Sequence, residues 1–477
     1  MKKNDYILPD LRQAARRTKE ETKVDYGLFK MPEEALHLGD NKKYLLKTYG
    51  CQANVRDSET LAGIFEEMGF TPTEDPHEAS VIVFNTCAVR RTAEEHVLGQ
   101  LGALKGLKEE DPEKVFCVCG CMAQEEAVVQ ELLQSYPQVD MIFGTHNLYR
   151  FPDLLLQHIQ KHKKVVEVYS KEGEVIEDLP VKRGDSCKAF VDIMYGCNKF
   201  CTYCIVPYTR GRERSRRVGD ILAEVQSLKQ SGHKEVIFLG QNVNAYGKDL
   251  GMEDGFTKLL EKTAETGIER IRFYTSHPRD YSHTTIEAMK KYPNIMKSLH
   301  LPVQSGSNEV LKRMNRGYTV EQYKELFDKM KEAIPDITFT TDIIVGFPNE
   351  TDAQFQETLD LVDYCLYDSA FSFIYSPRSG TPAANFEDTI PMSVKKERLQ
   401  ILNERLAKYA KESNDRYLNK VLYVLCEGPS KKRSDVYTGY SEENKLVNFT
   451  GPEGLAGQIV PVKITKVHSF SLDGEAL

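Results

Sequence analysis

MYGCNKFCTYC, residues 194–204, places three cysteines within eight residues, and its reading decides the rest of the chain. Cys197, Cys201 and Cys204 are spaced C-x-x-x-C-x-x-C, directly after an apolar run, KAFVDIM (188–194), that reads as a strand. Three thiolates on one short loop suit three irons of a [4Fe–4S] cube and leave the fourth iron without a protein ligand. An open iron can take a small chelating substrate and pass it one electron. A structural zinc site shows paired Cys/His spacings and closes its fourth position. No such pair lies beside this loop.

The totals fit a soluble globular protein. A chain of 477 residues is too long for one ordinary core and implies two or three domains. With 40% hydrophobic and 28% charged residues it has a globular composition. Eleven cysteines, an odd number, do not read as a disulfide framework, so clustered ones point to metal or thiol chemistry. The opening MKKNDYILPDLRQAARRTKEETK lacks the apolar stretch of a signal peptide, and no apolar run approaches 18 residues. A cytoplasmic protein with no membrane span is expected. The net charge of −8 gives no bulk attraction to nucleic acid, so an RNA partner needs a local basic patch.

Outward from the cysteine loop, residues 183–413 alternate strands and helices. The expected strands are KAFVDIM (188–194), EVIFLG (235–240), RIRFYTS (270–276), SLHLPV (298–303), ITFTTDIIVG (337–346) and AFSFIYS (370–376). Six strand–helix units predict a partial (β/α) barrel, with the cysteine loop at its C-terminal face. Residues 42–160 alternate in the same way at smaller scale and predict a parallel α/β sheet. Residues 1–41 carry charges of both signs with few apolar clusters and read as a mobile or loosely docked extension. From 416 to 477, short β-type runs separated by Gly and Asn turns predict a small all-β barrel of the size used by RNA-binding modules.

A second set of cysteines lies in the first sheet. Cys51, Cys87 and Cys121 follow the expected strands KYLLKTYGC, SVIVFNTC and KVFCVCGC. In a parallel sheet the loops after the strands emerge on one edge, so three distant cysteines can converge there. They could hold a second [4Fe–4S] cluster whose open iron carries sulfur for donation. CVCGC offers Cys117, Cys119 and Cys121 on one strand face, and spacing alone does not choose among them.

The loop at 194–204 resembles that of radical S-adenosylmethionine enzymes. TYGCQANVRDSE, NTCAVR and CGCMAQ resemble the amino-terminal domain of the methylthiotransferases within that superfamily. The resemblance covers nearly the whole chain from about residue 42 and includes a terminal TRAM-type barrel. It implies two [4Fe–4S] clusters, one on Cys197, Cys201 and Cys204 and one on Cys51, Cys87 and Cys121. Cys117 and Cys119 do not match ligand positions, and Cys187, Cys365 and Cys426 match nothing. For S-adenosylmethionine it implies Tyr203 against the adenine. It also implies contacts from Gly240 and Gln241 in LGQNV, Gln304 and Ser305 in LPVQSGS, and Val345 and Gly346 in IIVGFPNE. GCQANVRDSE, MYGCNKFCTYCIVPYTRGRERSR and HLPVQSGSNEVLKRMNRGYT resemble the MiaB branch. Its members add a methylthio group to C2 of N6-(dimethylallyl)adenosine at position 37 of tRNA. Ala53 departs from that branch, which usually carries Met there. The same chemistry on threonylcarbamoyl-adenosine tRNA, or on a ribosomal-protein aspartate, belongs to sibling branches. A non-catalytic, metal-stabilised RNA-binding protein is the reading of another class.

C2 of adenine carries a strong aromatic C–H bond that no side-chain base readily breaks, so radical chemistry is a reasonable tool. The family's chemistry implies a low-potential electron donor of flavodoxin or ferredoxin type, and a sulfur donor. For the anticodon loop of tRNA, the expected phosphate contacts are Arg210, Arg212, Arg214, Arg216 and Arg217 in YTRGRERSRR, with Lys312 and Arg316 beside MNRGY. The terminal barrel is close to charge-balanced, so charge alone does not mark it as the RNA surface.

Overall fold

A computed structural model describes residues 6–10, 24–89, 91–170, 174–184, 187–430 and 433–477. The chain forms two compact units. The first is Met1–Gly184 with Tyr195–Phe200 and Cys204–Arg214; the second is Asp185–Met194, Cys201–Tyr203 and Ser215–Leu477.

In the first unit six parallel strands form one sheet. Their order is Thr71–Pro72, Lys43–Tyr49, Ala79–Thr86, Val115–Gly120, Met141–Phe143 and Val165–Glu167. Strand alternation sends Val81, Val83, Cys117 and Cys119 into one core with the helices Gln52–Glu67 and Phe151–Lys161. Ile82, Phe84, Phe116 and Val118 go into the opposite core with Arg91–Ala103 and Glu126–Ser135. A sheet covered on both faces needs near-continuous apolar strands, as SVIVF supplies. The amino-terminal segment is better docked than its composition predicts. Ile7 bridges Glu167, and Tyr26–Leu28 pairs in parallel with Val175–Glu177. Ala35 is fully buried. Backbone pairing and a few apolar side chains suffice there without an apolar cluster; residues 1–5 and 11–23 of the expected extension lie outside the described residues.

In the second unit strand and helix alternate six times, from Lys188–Asp192 to Met392–Asp415. Lys188–Asp192, Glu235–Leu239 and Arg270–Phe273 pair in parallel, as do Ser298–His300, Thr338–Val345 and Ser369–Ile374. The halves are joined where the Ile271 N–H donates to Asn294 O at 2.8 Å and the Met296 N–H donates to Ile271 O at 3.0 Å. The result is the partial (β/α)6 barrel that six repeats predict. Two strands end sooner than their apolar runs. Past Phe273 the chain turns out of the sheet at Thr275, whose φ of 68° is left-handed and incompatible with a strand. Past His300 it stays bonded to Thr338–Val345, the Gln304 N–H donating to Asp342 O at 2.9 Å, with Gln304 itself left-handed at φ 73°. Polar residues at the strand ends, Ser276 and Gln304, are thereby buried at the barrel's C-terminal face.

The last five strands close into a barrel in the order Val421–Ser430, Arg433–Ser441, Leu446–Thr450, Leu472–Ala476 and Ile459–Val467. Its core is Leu422, Val424, Val447, Phe449, Val462, Ile464 and their neighbours. Two buried arginines of the (β/α) barrel fix it in place. Arg270 donates to the carbonyls of Tyr440 and Tyr423 at 3.0 and 2.8 Å, and Arg272 donates to those of Ser441 and Glu442 at 2.5 and 3.1 Å.

Candidate active site

Each cysteine of the amino-terminal set stands just past its strand. Cys51 follows Lys43–Tyr49 after Gly50, Cys87 follows Ala79–Thr86, and Cys121 follows Val115–Gly120. Two glycines set the geometry. A Cβ on Gly50 would lie 2.7 Å from Cys87 Cβ, so only glycine lets the first two cysteines approach. Gly120 has φ +90°, and a Cβ there would lie 2.5 Å from Thr86 O. That left-handed turn takes Cys121 off the strand, whereas Cys117 and Cys119 stay in the apolar core. Strand alternation alone could not make this distinction.

A buried amide pair underlies the set. Asn54 Nδ2 donates to Asn85 Oδ1 at 3.1 Å and to Thr86 O at 3.3 Å, while Asn85 Nδ2 donates to Asn54 O and Ser58 Oγ, both at 2.9 Å. Cys51 precedes the helix Gln52–Glu67, where backbone N–H groups favour a thiolate. A hydrogen bond from Cys87 lowers the Cys51 pKa to about 5 against the opposing effect of burial, helped by Arg210 and the N–H groups of Asn54 and Ala53. That same bond, together with burial, pushes Cys87 up. Burial also raises Cys121, which Arg210 counters.

Arg210 is buried here. Its Nε donates to Cys121 Sγ at 3.2 Å and its Nη2 to Asp57 Oδ2 at 2.6 Å. Burial disfavours its charge, but Asp57, Cys121 and Cys51 more than offset that. Among the described residues no three Cys, His, Asp or Glu side chains already stand at metal-ligand spacing. The donors nonetheless fit iron: Cys51 and Cys87 lie close enough to shift each other's ionisation, Cys121 accepts from a guanidinium, and all three are soft sulfur ligands.

The core cysteine loop is held by contacts within each unit. In the first, the Cys197 N–H donates to Gly211 O at 3.0 Å. Asn198 and Glu213 exchange hydrogen bonds, backbone N–H to side chain, at 3.1 and 3.2 Å. In the second, Cys201 is buried and accepts from Arg316 Nη1 at 3.4 Å. Thr202 Oγ1 donates to Arg313 O at 2.9 Å, and Tyr203 packs among Val310, Met314, Phe347 and Tyr375.

The residues expected against S-adenosylmethionine lie at strand ends, as their runs predict. Gly240 follows Glu235–Leu239, where a Cβ would lie 2.7 Å from Met194 Cγ; Gln241 beside it is half-buried. Gln304 is buried, and its Oε1 has no partner. Ser305 Oγ is already engaged, 3.3 Å from Thr358 Oγ1 and accepting from the Ser307 N–H at 3.2 Å. Val345 ends its strand, and the Gly346 N–H is taken by Glu350 Oε2 at 2.8 Å.

The basic row differs from its expected role. Arg210, Arg214, Arg216 and Arg316 are buried. Arg214 Nη1 donates to Arg210 O at 3.4 Å, and Arg216 Nη1 donates to Asp192 O at 2.8 Å and Glu224 Oε2 at 2.6 Å. These charges face inward, so phosphate contact by them is not what the structure presents. Arg212 is half-buried, with its guanidinium 5.9 Å from the Phe200 ring centre. Arg217 and Lys312 are exposed. Charge counting sees clusters of cations but not burial. Asp57, Asn54 and Asn85 were not singled out from the sequence, and Asn54, three residues past Cys51 at a helix start, is the one with a readable signal.

Comparison with known proteins follows this division of the chain. Residues 191–362 match the Radical SAM superfamily, 43–144 match Uncharacterized protein family UPF0004, and 415–477 match the TRAM domain. A solved structure of the radical S-adenosylmethionine methyltransferase TsrM from Kitasatospora setae, with cobalamin and a [4Fe-4S] cluster bound, shares the fold. Its TM-score is 0.52 at 14% identity, covering 72% of this chain and 74% of that one. The chain is thus a radical S-adenosylmethionine enzyme, a superfamily that uses a [4Fe–4S] cluster and S-adenosylmethionine.

The tRNA-2-methylthio-N(6)-dimethylallyladenosine synthase of Anoxybacillus flavithermus is 53% identical over 98% of this chain and 89% of its own length. That of Geobacillus kaustophilus is 53% identical over 98% and 88%. This chain belongs to the tRNA-2-methylthio-N(6)-dimethylallyladenosine synthase family. Among the described residues no helix is long and apolar enough to cross a membrane.

Proposed function

We propose that this chain adds a methylthio group to C2 of N6-(dimethylallyl)adenosine at position 37 of tRNA, in the cytoplasm. The observation that carries the reading is the gathering of Cys51, Cys87 and Cys121 at one edge of the parallel sheet, in a chain that also has the C-x-x-x-C-x-x-C loop. Cys197, Cys201 and Cys204 hold one [4Fe–4S] cluster and Cys51, Cys87 and Cys121 a second. When bound, these groups supply one-electron cleavage of S-adenosylmethionine and a seat for the sulfur that is transferred.

The chain's own residues supply the rest. Gly50 and Gly120 set the approach of the amino-terminal thiols, and the Asn54–Asn85 pair braces it. Gln304 Oε1, buried without a partner, accepts an N–H or O–H from S-adenosylmethionine. Tyr203 offers a ring face to its adenine, and the backbone at Gly240, Gln241, Val345 and Gly346 lines the cofactor. Arg212, Arg217 and Lys312 meet tRNA phosphates. A flavodoxin- or ferredoxin-type protein delivers the electrons, and a separate donor supplies the sulfur.

The test is an anaerobic assay of the reconstituted chain with S-adenosylmethionine, sulfide, reductant and tRNA bearing N6-(dimethylallyl)adenosine, with nucleosides read by mass spectrometry. The expected result is a gain of one methylthio group on that nucleoside. A gain on threonylcarbamoyl-adenosine or on a ribosomal protein instead would move the chain to a sibling specificity. No product and no S-adenosylmethionine cleavage would overturn the reading.

A further inference from the structure

Arg210 belongs to a row of arginines that reads as a tRNA surface, yet its guanidinium is enclosed beside the amino-terminal cysteines. One edge of the planar fork, Nε, reaches Cys121 Sγ at 3.2 Å; Nη2 reaches Asp57 Oδ2 at 2.6 Å. Asp57 comes from the helix that starts directly after Cys51. The arginine is itself well anchored. Its N–H donates to Val206 O at 2.8 Å, and Thr145 Oγ1 donates to Thr209 O at 2.7 Å. Ile205 and Tyr208 pack with Ala88 and Cys121. The short segment that begins at Cys204 is thus fastened to the edge of the sheet that carries the other cysteine set.

Cysteine binds metal as the thiolate, and gathering buried thiolates needs compensating positive charge. A charge-assisted N–H to sulfur bond favours the thiolate. It also draws electron density from any iron centre the sulfur serves, and so raises its reduction potential. We propose that Arg210 is the positioning residue of the amino-terminal iron site. It holds the Cys121 thiolate in ligating orientation, and Asp57 fixes the guanidinium. This inference rests on the reading of Cys51, Cys87 and Cys121 as a cluster site. The planar fork matters: lysine would bring the charge without linking both partners at fixed angles.

The test uses the full chain, anaerobically reconstituted with iron and sulfide, in a Cys201→Ala background that removes a ligand from the other cysteine set. Adding Arg210→Ala is expected to weaken iron retention against a chelator by about tenfold to a hundredfold. It is also expected to lower the midpoint potential of the remaining cluster, followed by its electron paramagnetic resonance signal. Arg210→Lys should restore part of both. Thermal unfolding of the iron-free chains separates out a merely structural role, which would lower Tm and leave iron affinity and potential at the parent values. That outcome overturns the proposal. Should Arg210→Ala fail to fold, Asp57→Asn carries the test, with a smaller loss of iron affinity expected and an unchanged affinity overturning it. A Cys201→Ala parent that binds no iron overturns the cluster reading, and this inference with it.

Discussion

Arg316 Nη1 lies 3.4 Å from Cys201 Sγ and 3.4 Å from Tyr203 Oη, while its Nη2 donates to Pro302 O at 3.0 Å. Each cysteine set therefore has one buried guanidinium on a sulfur, Arg316 at Cys201 and Arg210 at Cys121. Replacing Arg316 with alanine removes the hydrogen bond to the thiolate and loosens Tyr203. Formation of 5′-deoxyadenosine should fall by about tenfold to a hundredfold, with Arg316→Lys intermediate. Quantifying deoxyadenosine by chromatography checks this; an undiminished rate in Arg316→Ala would remove the arginine from the account.

Gly120→Ala forces a side chain into a left-handed turn and against the Thr86 carbonyl. The expected cost is about 1–3 kcal/mol of stability, seen as a lower urea midpoint. Iron retention by the amino-terminal set should fall with it, because Cys121 is displaced. Gly99→Ala is the control: a Cβ there meets nothing within 4 Å, so iron content should not change.

The hydrogen bond from Cys87, opposed by burial and helped by Arg210, lowers the Cys51 pKa to about 5. Burial raises Cys121, and the bond to Cys51 together with burial raises Cys87. In iron-free protein Cys51 ionises at lower pH than its two neighbours. Iodoacetamide should therefore modify Cys51 first, with a rate that declines only as pH falls through about 5. Peptide mapping checks the order; equal labelling of the three cysteines would contradict it.

Arg272 Nε donates to Glu235 Oε1 at 3.0 Å, and its two Nη atoms hold the terminal barrel's carbonyls. Arg272→Met leaves buried Glu235 without its hydrogen-bonded cation, the Arg270 guanidinium standing 3.9 Å away. A loss of about 3 kcal/mol is expected. The double variant with Glu235→Gln should lose less than the sum of the singles. Denaturant unfolding checks both values, and additive effects would show that the pair does not act as a unit.

Much of this architecture was legible in the sequence. Apolar runs alternating with helical stretches located the strands, and the cysteines at their ends followed from the rule that parallel strands release their loops on one edge. What escaped was set by tertiary contact. KVFCVCGC does not say which cysteine leaves the strand; the left-handed turn at Gly120 does. The run at 270–276 looks like a strand throughout, yet it turns out at Thr275, and the run at 298–303 leads into the left-handed Gln304, whose side chain is buried. YTRGRERSRR reads as a basic surface because sequence shows charge and not direction. Arg210 faces the sulfur of Cys121, distant in sequence, and Arg216 the carboxylate of Glu224 on the helix that follows it, because the fold brings both partners beside them.

The division of labour between the two cysteine sets is the central claim, and one side-by-side measurement tests it most directly. Cys201→Ala and Cys87→Ala are assayed together, with 5′-deoxyadenosine and the methylthiolated nucleoside quantified in the same reactions. Cys201→Ala should give neither product. Cys87→Ala should still form deoxyadenosine while making no methylthiolated nucleoside. Deoxyadenosine from Cys201→Ala, or undiminished methylthio transfer by Cys87→Ala, would contradict the account.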